Sequence, residues 1–166
     1  MSTRLRAARP GDFGRILALN EESVRFLSPL DNAALAALHA EAAWHRVLEA
    51  DTGIEAFLLA FAEGASYASP NYRWFDAHYE RFLYVDRVVV CGTARRRGHG
   101  DHLYADLFAH AREQDVPVVT CEIDVVPPNP GSVAFHDRFG FVEVGQQAVQ
   151  DGRKTVSLRA AEVPVD

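Results

Sequence analysis

Six consecutive positions, Arg95, Arg96, Arg97, Gly98, His99 and Gly100, combine three guanidinium groups with two residues that lack a Cβ. The β-branched run Val88-Val89-Val90 stands shortly before them, and a helical stripe of Leu103, Tyr104, Leu107, Phe108 and Ala111 follows. A strand that turns into a helix in this way points several main-chain N–H groups at one spot. Those at the helix start have no intrahelical partner, and the helix dipole draws an anion to them. Glycine lets phosphate oxygens approach the main chain closely, and arginines on the rim can pair with them. The chemistry is binding of a phosphate or pyrophosphate. A plain basic turn opening a helix would give the same letters. No Gly-Lys-Ser/Thr follows, which argues against a nucleotide loop of the Walker type.

Residues able to move protons stand on either side of this turn. Tyr84 and Asp86 lie on the preceding strand, and Asp86 shares parity with Val88 and Val90. Pairing with an arginine is the structural alternative for Asp86. Glu122 and Asp124 on the next strand are lesser candidates. Further on, Asn129-Pro130-Gly131-Ser132-Val133-Ala134-Phe135-His136-Asp137-Arg138-Phe139-Gly140-Phe141 reads as a short helix. Asn129 is its cap, and Gly140 fits a helix end that needs positive φ. His136 titrates near neutrality when unperturbed. It could equally be a helix-face histidine satisfied by a neighbouring carbonyl.

Arg-x-x-Gly-x-Gly after a valine strand, together with Asn-x-x-Ser-x-x-Phe-His-x-x-x-Gly-Phe, resembles the GCN5-related N-acetyltransferase (GNAT) superfamily across nearly the whole chain. The resemblance implies an α/β (α+β) fold, with a mixed, mostly antiparallel sheet, a splayed central parallel strand pair, and helices on both faces. It further implies that Arg95, Arg96, Arg97, Gly98, His99 and Gly100 cradle the pyrophosphate of acetyl-CoA or coenzyme A. Main-chain groups of Val88, Val89 and Val90 would hold the pantetheine arm and polarise the thioester carbonyl. Asn129 would cap its helix or hydrogen-bond near the pantetheine arm, and Ser132 and Phe135 would face the coenzyme or the core. His136 stands where the family usually has a tyrosine, so it becomes the candidate acid for the leaving thiolate. Asp86 and Tyr84 become the candidate bases for the amine. The implied activity is acyl transfer, most simply of acetyl, to a primary amine of a small molecule or peptide by direct attack on the thioester. A non-catalytic acyl-CoA-binding or regulatory protein of the same fold is the alternative, and a nucleotide-binding protein a weaker one. The resemblance also allows a homodimer.

The rest of the chain must position these groups. At 166 residues, 48% hydrophobic and 24% charged, it reads as one soluble domain over residues 1–166. A net charge of −6 argues against a nucleic-acid partner. No apolar run is long enough for a bilayer, and no signal-like segment opens the chain, so a cytoplasmic location is expected. Cys91 and Cys121 have no metal spacing and are expected as reduced, packed thiols. His39, His45 and His78 are dispersed, and no metal is expected. Strands are expected at Arg4–Ala8, Trp44–Ala50, Ile54–Glu63, Leu83–Val90, Val118–Val126, Phe141–Gln147 and Lys154–Arg159. Helices are expected from Phe13, after Asp31, at Gly98–Gln114 and at Pro130–Arg138. The resulting order is β-α-α-β-β-β-α-β-α-β-β. Between Gly64 and Arg81 periodicity is lost, and aromatics gather from Tyr67 to Tyr84. They either wall an acceptor site or fill core beneath a long loop, and such a loop is usually functional or carries a short helix of its own.

Overall fold

The computed structural model describes Ser2 to Val165. Its elements run β1 (Thr3–Ala7), α1 (Phe13–Glu21), α2 (Asn32–Glu41), β2 (Trp44–Ala50), β3 (Gly53–Ala62), α3 (Pro70–His78) and β4 (Leu83–Val90). They continue as α4 (His99–Glu113), β5 (Val118–Val126), α5 (Pro130–Asp137), β6 (Val142–Val149) and β7 (Lys154–Glu162). The fold is mixed α/β, its sheet mostly antiparallel with a parallel pair formed by β4 and β5. Among the described residues no helix is long and apolar enough to cross a membrane. The chain forms two compact units, one of residues 1–61 and 85–109, the other of 62–84 and 110–166.

In the first unit β1 pairs with β2 and β2 with β3, both antiparallel. The β2–β3 hairpin turns at Asp51-Thr52-Gly53, where Gly53 takes φ +118, a conformation that a Cβ would strain. Its ladder sets Leu48 opposite Ala56 and Glu49 opposite Ile54, so Glu55 is an extra residue at a β-bulge. Asp31 caps α2 by accepting from the Ala34 N–H at 2.8 Å. Val47, Leu48, Phe57, Leu59 and Phe61 are fully buried, so apolar side chains on both faces of this strand pair are shielded from water.

In the second unit the parallel pairing of β4 with β5 sets Leu83 opposite Val119 and Tyr84 opposite Thr120. The antiparallel ladders β5–β7 and β6–β7 follow. The β6–β7 hairpin turns through Gln150, Asp151 and Gly152, all with positive φ. Segment 64–81, where periodicity fails, carries a helix that the sequence-derived order leaves out. Ser69 caps it by accepting from the Tyr72 N–H, and Pro70 occupies its first turn. Tyr72, Phe75, Phe82 and Tyr84 are almost wholly buried, their rings 5.7–6.4 Å apart. These four fill core; Tyr67, Trp74 and Tyr79 are half-buried around them.

Candidate active site

The basic turn lies in the first unit. Val89 is buried while Val88 and Val90 are half-buried, the alternation of a strand whose two sides differ in cover. The chain then passes through Cys91 and a 3-10 turn at Gly92–Ala94 before α4 begins at His99. Arg95, Arg96, Arg97 and Gly98 are exposed. Arg96 at φ 67 and Gly98 at φ 80 both take the left-handed conformation. Alternating hand along such a segment curls consecutive N–H groups toward one side, and the first turn of α4 adds N–H groups that no bond within the helix uses. The loop offers what an anion such as a pyrophosphate requires: main-chain donors, a helix N-terminus and three exposed arginines. The turn is fixed behind. Gly92 N–H donates to Glu22 Oε1 at 3.0 Å, and Cys91 N–H to the Glu55 carbonyl at 2.7 Å. The Cys91 thiol is drawn below its ordinary range, chiefly by the Thr93 hydroxyl beside it.

Asp86 is committed within the same unit. Its Oδ2 accepts from Arg87 Nε at 2.7 Å, both side chains being 5% exposed. Arg87 Nη1 also donates to Asn20 Oδ1 at 2.9 Å and to the Ser28 carbonyl at 3.2 Å. A buried guanidinium needs such partners, and α1 with the segment after it supplies them. Nothing in the sequence pattern joined Asn20 and Ser28 to β4.

Tyr84 and the α5 residues belong to the second unit. The buried Tyr84 donates its hydroxyl to Glu122 Oε2 at 2.6 Å. Register explains the meeting: Tyr84 is opposite Thr120, and Glu122 lies one same-face step further along β5. Asn129 caps α5, accepting from the Ser132 N–H at 3.3 Å. His136 Nδ1 donates to the Ser132 carbonyl at 2.7 Å, one helical turn back. Its ring stands edge-on to Phe135 and Phe141 at 5.2 and 5.3 Å. Burial lowers the His136 pKa, only partly offset by the Ser132 carbonyl. The imidazole is therefore neutral, with its proton on Nδ1 and a lone pair on Nε2. Gly140 takes φ +86 and ends the α5 segment as its position demands. A cavity of about 480 Å³ opens beside α5, lined among others by Asp124, Asn129, Val133, Glu143, Ser157 and Arg159. Asp124 pairs with Lys154 at 3.1 Å, and burial raises its pKa. Among the described residues no three His, Cys, Asp or Glu side chains gather as a metal set. Cys91 and Cys121 are free and buried.

The structure thus joins Tyr84 with Glu122, Asp86 with Arg87, and His136 with Ser132 and Phe135. Solved structures share the fold. Ard1 from Thermoplasma volcanium matches at TM-score 0.81 and 17% identity, over 99% of each chain. yncA from Salmonella typhimurium, solved with its cofactor acetyl-CoA, matches at TM-score 0.73 and 17% identity, over 100% of this chain and 96% of that one. Chaetomium thermophilum Naa20 in complex with a bisubstrate analogue matches at TM-score 0.75 and 21% identity, over 96% and 86%. No curated protein sequence matches the chain. The model of the acetyltransferase (GNAT) family matches residues 30–141, from α2 past the basic turn to the end of the α5 segment. The chain belongs to the GNAT acetyltransferase family, whose acyl donor is acetyl-CoA.

Proposed function

We propose that the chain transfers the acetyl group of acetyl-CoA to a primary amine of a small molecule or peptide, by direct attack of the amine on the thioester. The observation that carries this reading is the exposed, left-handed turn at Arg96 and Gly98 that leads into the N-terminus of α4. The donor supplies an activated acetyl group, and the main-chain N–H groups from Arg95 to Gly100 hold its pyrophosphate. Main-chain groups of Val88, Val89 and Val90, on β4, bind the pantetheine arm and polarise the carbonyl under attack. Asn129, Ser132 and Phe135 are proposed as further coenzyme contacts, Asn129 while capping α5.

For the amine proton, Glu122 is favoured over Asp86. The Asp86 charge is already neutralised by Arg87, whereas Glu122 is half-exposed and held by the Tyr84 hydroxyl. Tyr84 acts through Glu122 by fixing its carboxylate. A thiolate is a good leaving group, and it takes its proton from water without a strong acid. A neutral His136 whose proton faces Ser132 offers a lone pair at Nε2 and fits a role in packing α5.

The second reading, a coenzyme-binding protein without turnover, is favoured by that same buried, neutral His136. Isothermal titration with coenzyme A, followed by thiol release from acetyl-CoA with a panel of primary amines, separates the two. Binding with amine-dependent release supports transfer. Binding without release supports the second reading, and no binding refutes both.

A further inference from the structure

Glu55 is a carboxylate inside a strand whose neighbours Ile54, Ala56, Phe57, Leu58 and Leu59 are all buried and apolar. It is 7% exposed. A charge in that setting is costly unless it is paired. Glu55 is also the extra residue of the β2–β3 bulge, and a bulge re-aims the side chain it carries. Both features converge on the basic turn. The Glu55 carbonyl accepts from Cys91 N–H, where the turn begins. Its carboxylate reaches Arg97 Nη1 at 3.4 Å through Oε2 and lies 3.5 Å from His99 Nε2 through Oε1, where the turn ends. His99 is 5% exposed, and its Nε2 has no hydrogen-bond partner among the described residues. Arg97, by contrast, keeps 45% of its side chain exposed.

We propose that Glu55 is a positioning residue for coenzyme binding: from the bulge it clamps both ends of the anion-binding turn and holds Arg97 and His99 in place before the ligand arrives. The proposal rests on the acyltransferase reading for its ligand but not for its geometry. The bulge spaces one residue so that its carbonyl and its carboxylate serve the two ends of one loop. The contact to Arg97 is long, so the guanidinium stays available to a phosphate oxygen while its stem is restrained. Pre-forming the turn lowers the ordering cost that binding would otherwise carry.

Three variants test this: Glu55→Ala, Glu55→Gln, which keeps the volume and an acceptor oxygen, and Arg97→Ala. With coenzyme A as titrant, Glu55→Ala should weaken binding several-fold and raise KM for acetyl-CoA more than it lowers kcat. Glu55→Gln should lie between Glu55→Ala and the wild type. The double variant Glu55→Ala/Arg97→Ala should lose less than the product of the two single losses, because the pair acts as a unit. Without coenzyme, ¹⁵N order parameters at Arg97 and His99 should fall in Glu55→Ala. Unchanged or tighter coenzyme binding in both Glu55 variants, or unchanged order parameters, overturns the proposal. If the wild-type protein binds no coenzyme, the acyltransferase reading has failed, and the order parameters alone decide the clamp.

Discussion

Replacing Gly98 by alanine isolates the contribution of the left-handed turn. An ideal Cβ on Gly98 meets no atom within 4 Å, so alanine there creates no clash. The penalty is conformational: holding an L-residue at φ 80 costs about 1–2 kcal/mol. Because residues 95–98 are exposed, the free loop can relax, and the strain returns when a ligand demands the curled form. At 1.4 kcal/mol per decade, coenzyme affinity should fall about 5- to 30-fold. Gly152 provides the matched control. It sits at φ 82 in the β6–β7 turn, again with nothing within 4 Å of a Cβ. Gly152→Ala should cost about 2–8 °C in Tm, which is 1–2 kcal/mol for a chain of this size, with coenzyme affinity intact. Calorimetric titration and thermal melts of both variants provide the comparison. Wild-type affinity in Gly98→Ala, or an equal loss of affinity in Gly152→Ala, would refute the idea that backbone shape at this turn selects the ligand.

Glu122→Gln should lower kcat by about 10²–10⁴-fold with little change in KM for acetyl-CoA, in steady-state thiol-release assays; a retained kcat assigns the base elsewhere. His136→Phe should leave the shape of the pH–rate profile unchanged, because the imidazole is already neutral; loss of the alkaline limb would establish it as the acid. His45 is 8% exposed, and burial lowers its pKa from 6.5 to about 4. The unfolded chain therefore takes up the proton first as pH falls. This neutral histidine's contribution is complete above about pH 6.5 and is lost on acidification toward pH 4, roughly 3 kcal/mol in all. Urea melts across that range should show the decline, and His45→Gln should flatten it; an equally steep decline in the variant would contradict the assignment.

The parts of this molecule that were legible in its residues are those marked by local punctuation. The Val88–Val90 strand, the helical stripe after Gly100 and the Asn129 cap are plain in the sequence, and Gly140 marks a helix end that needs positive φ. The α3 helix was harder to see. Its Ser69-Pro70 start is a standard signal, but nine residues with apolar side chains at Tyr72 and Phe75 give barely two turns of period. Glu55 was read as part of an apolar run, since a bulge depends on how two strands register and leaves no fixed pattern in one of them. Tyr84 and Glu122 stand 38 positions apart. They meet only because parallel pairing puts Tyr84 beside Thr120, and one sequence does not reveal which residues of two strands will face each other. For His136, the carbonyl four residues back was open to sequence reasoning; the flanking Phe141 ring was not. Asp86 showed the ambiguity plainly: a carboxylate next to arginine in sequence is also its partner in space.

The two tryptophans fall one to each unit. Trp44 donates its indole N–H to Asp106 at 3.0 Å under the Arg46 guanidinium, and Trp74 lies stacked on His78 at 3.7 Å. Each unit therefore carries its own fluorophore in a distinct chemical setting. Trp44→Phe and Trp74→Phe proteins would let emission report the melting of either half separately.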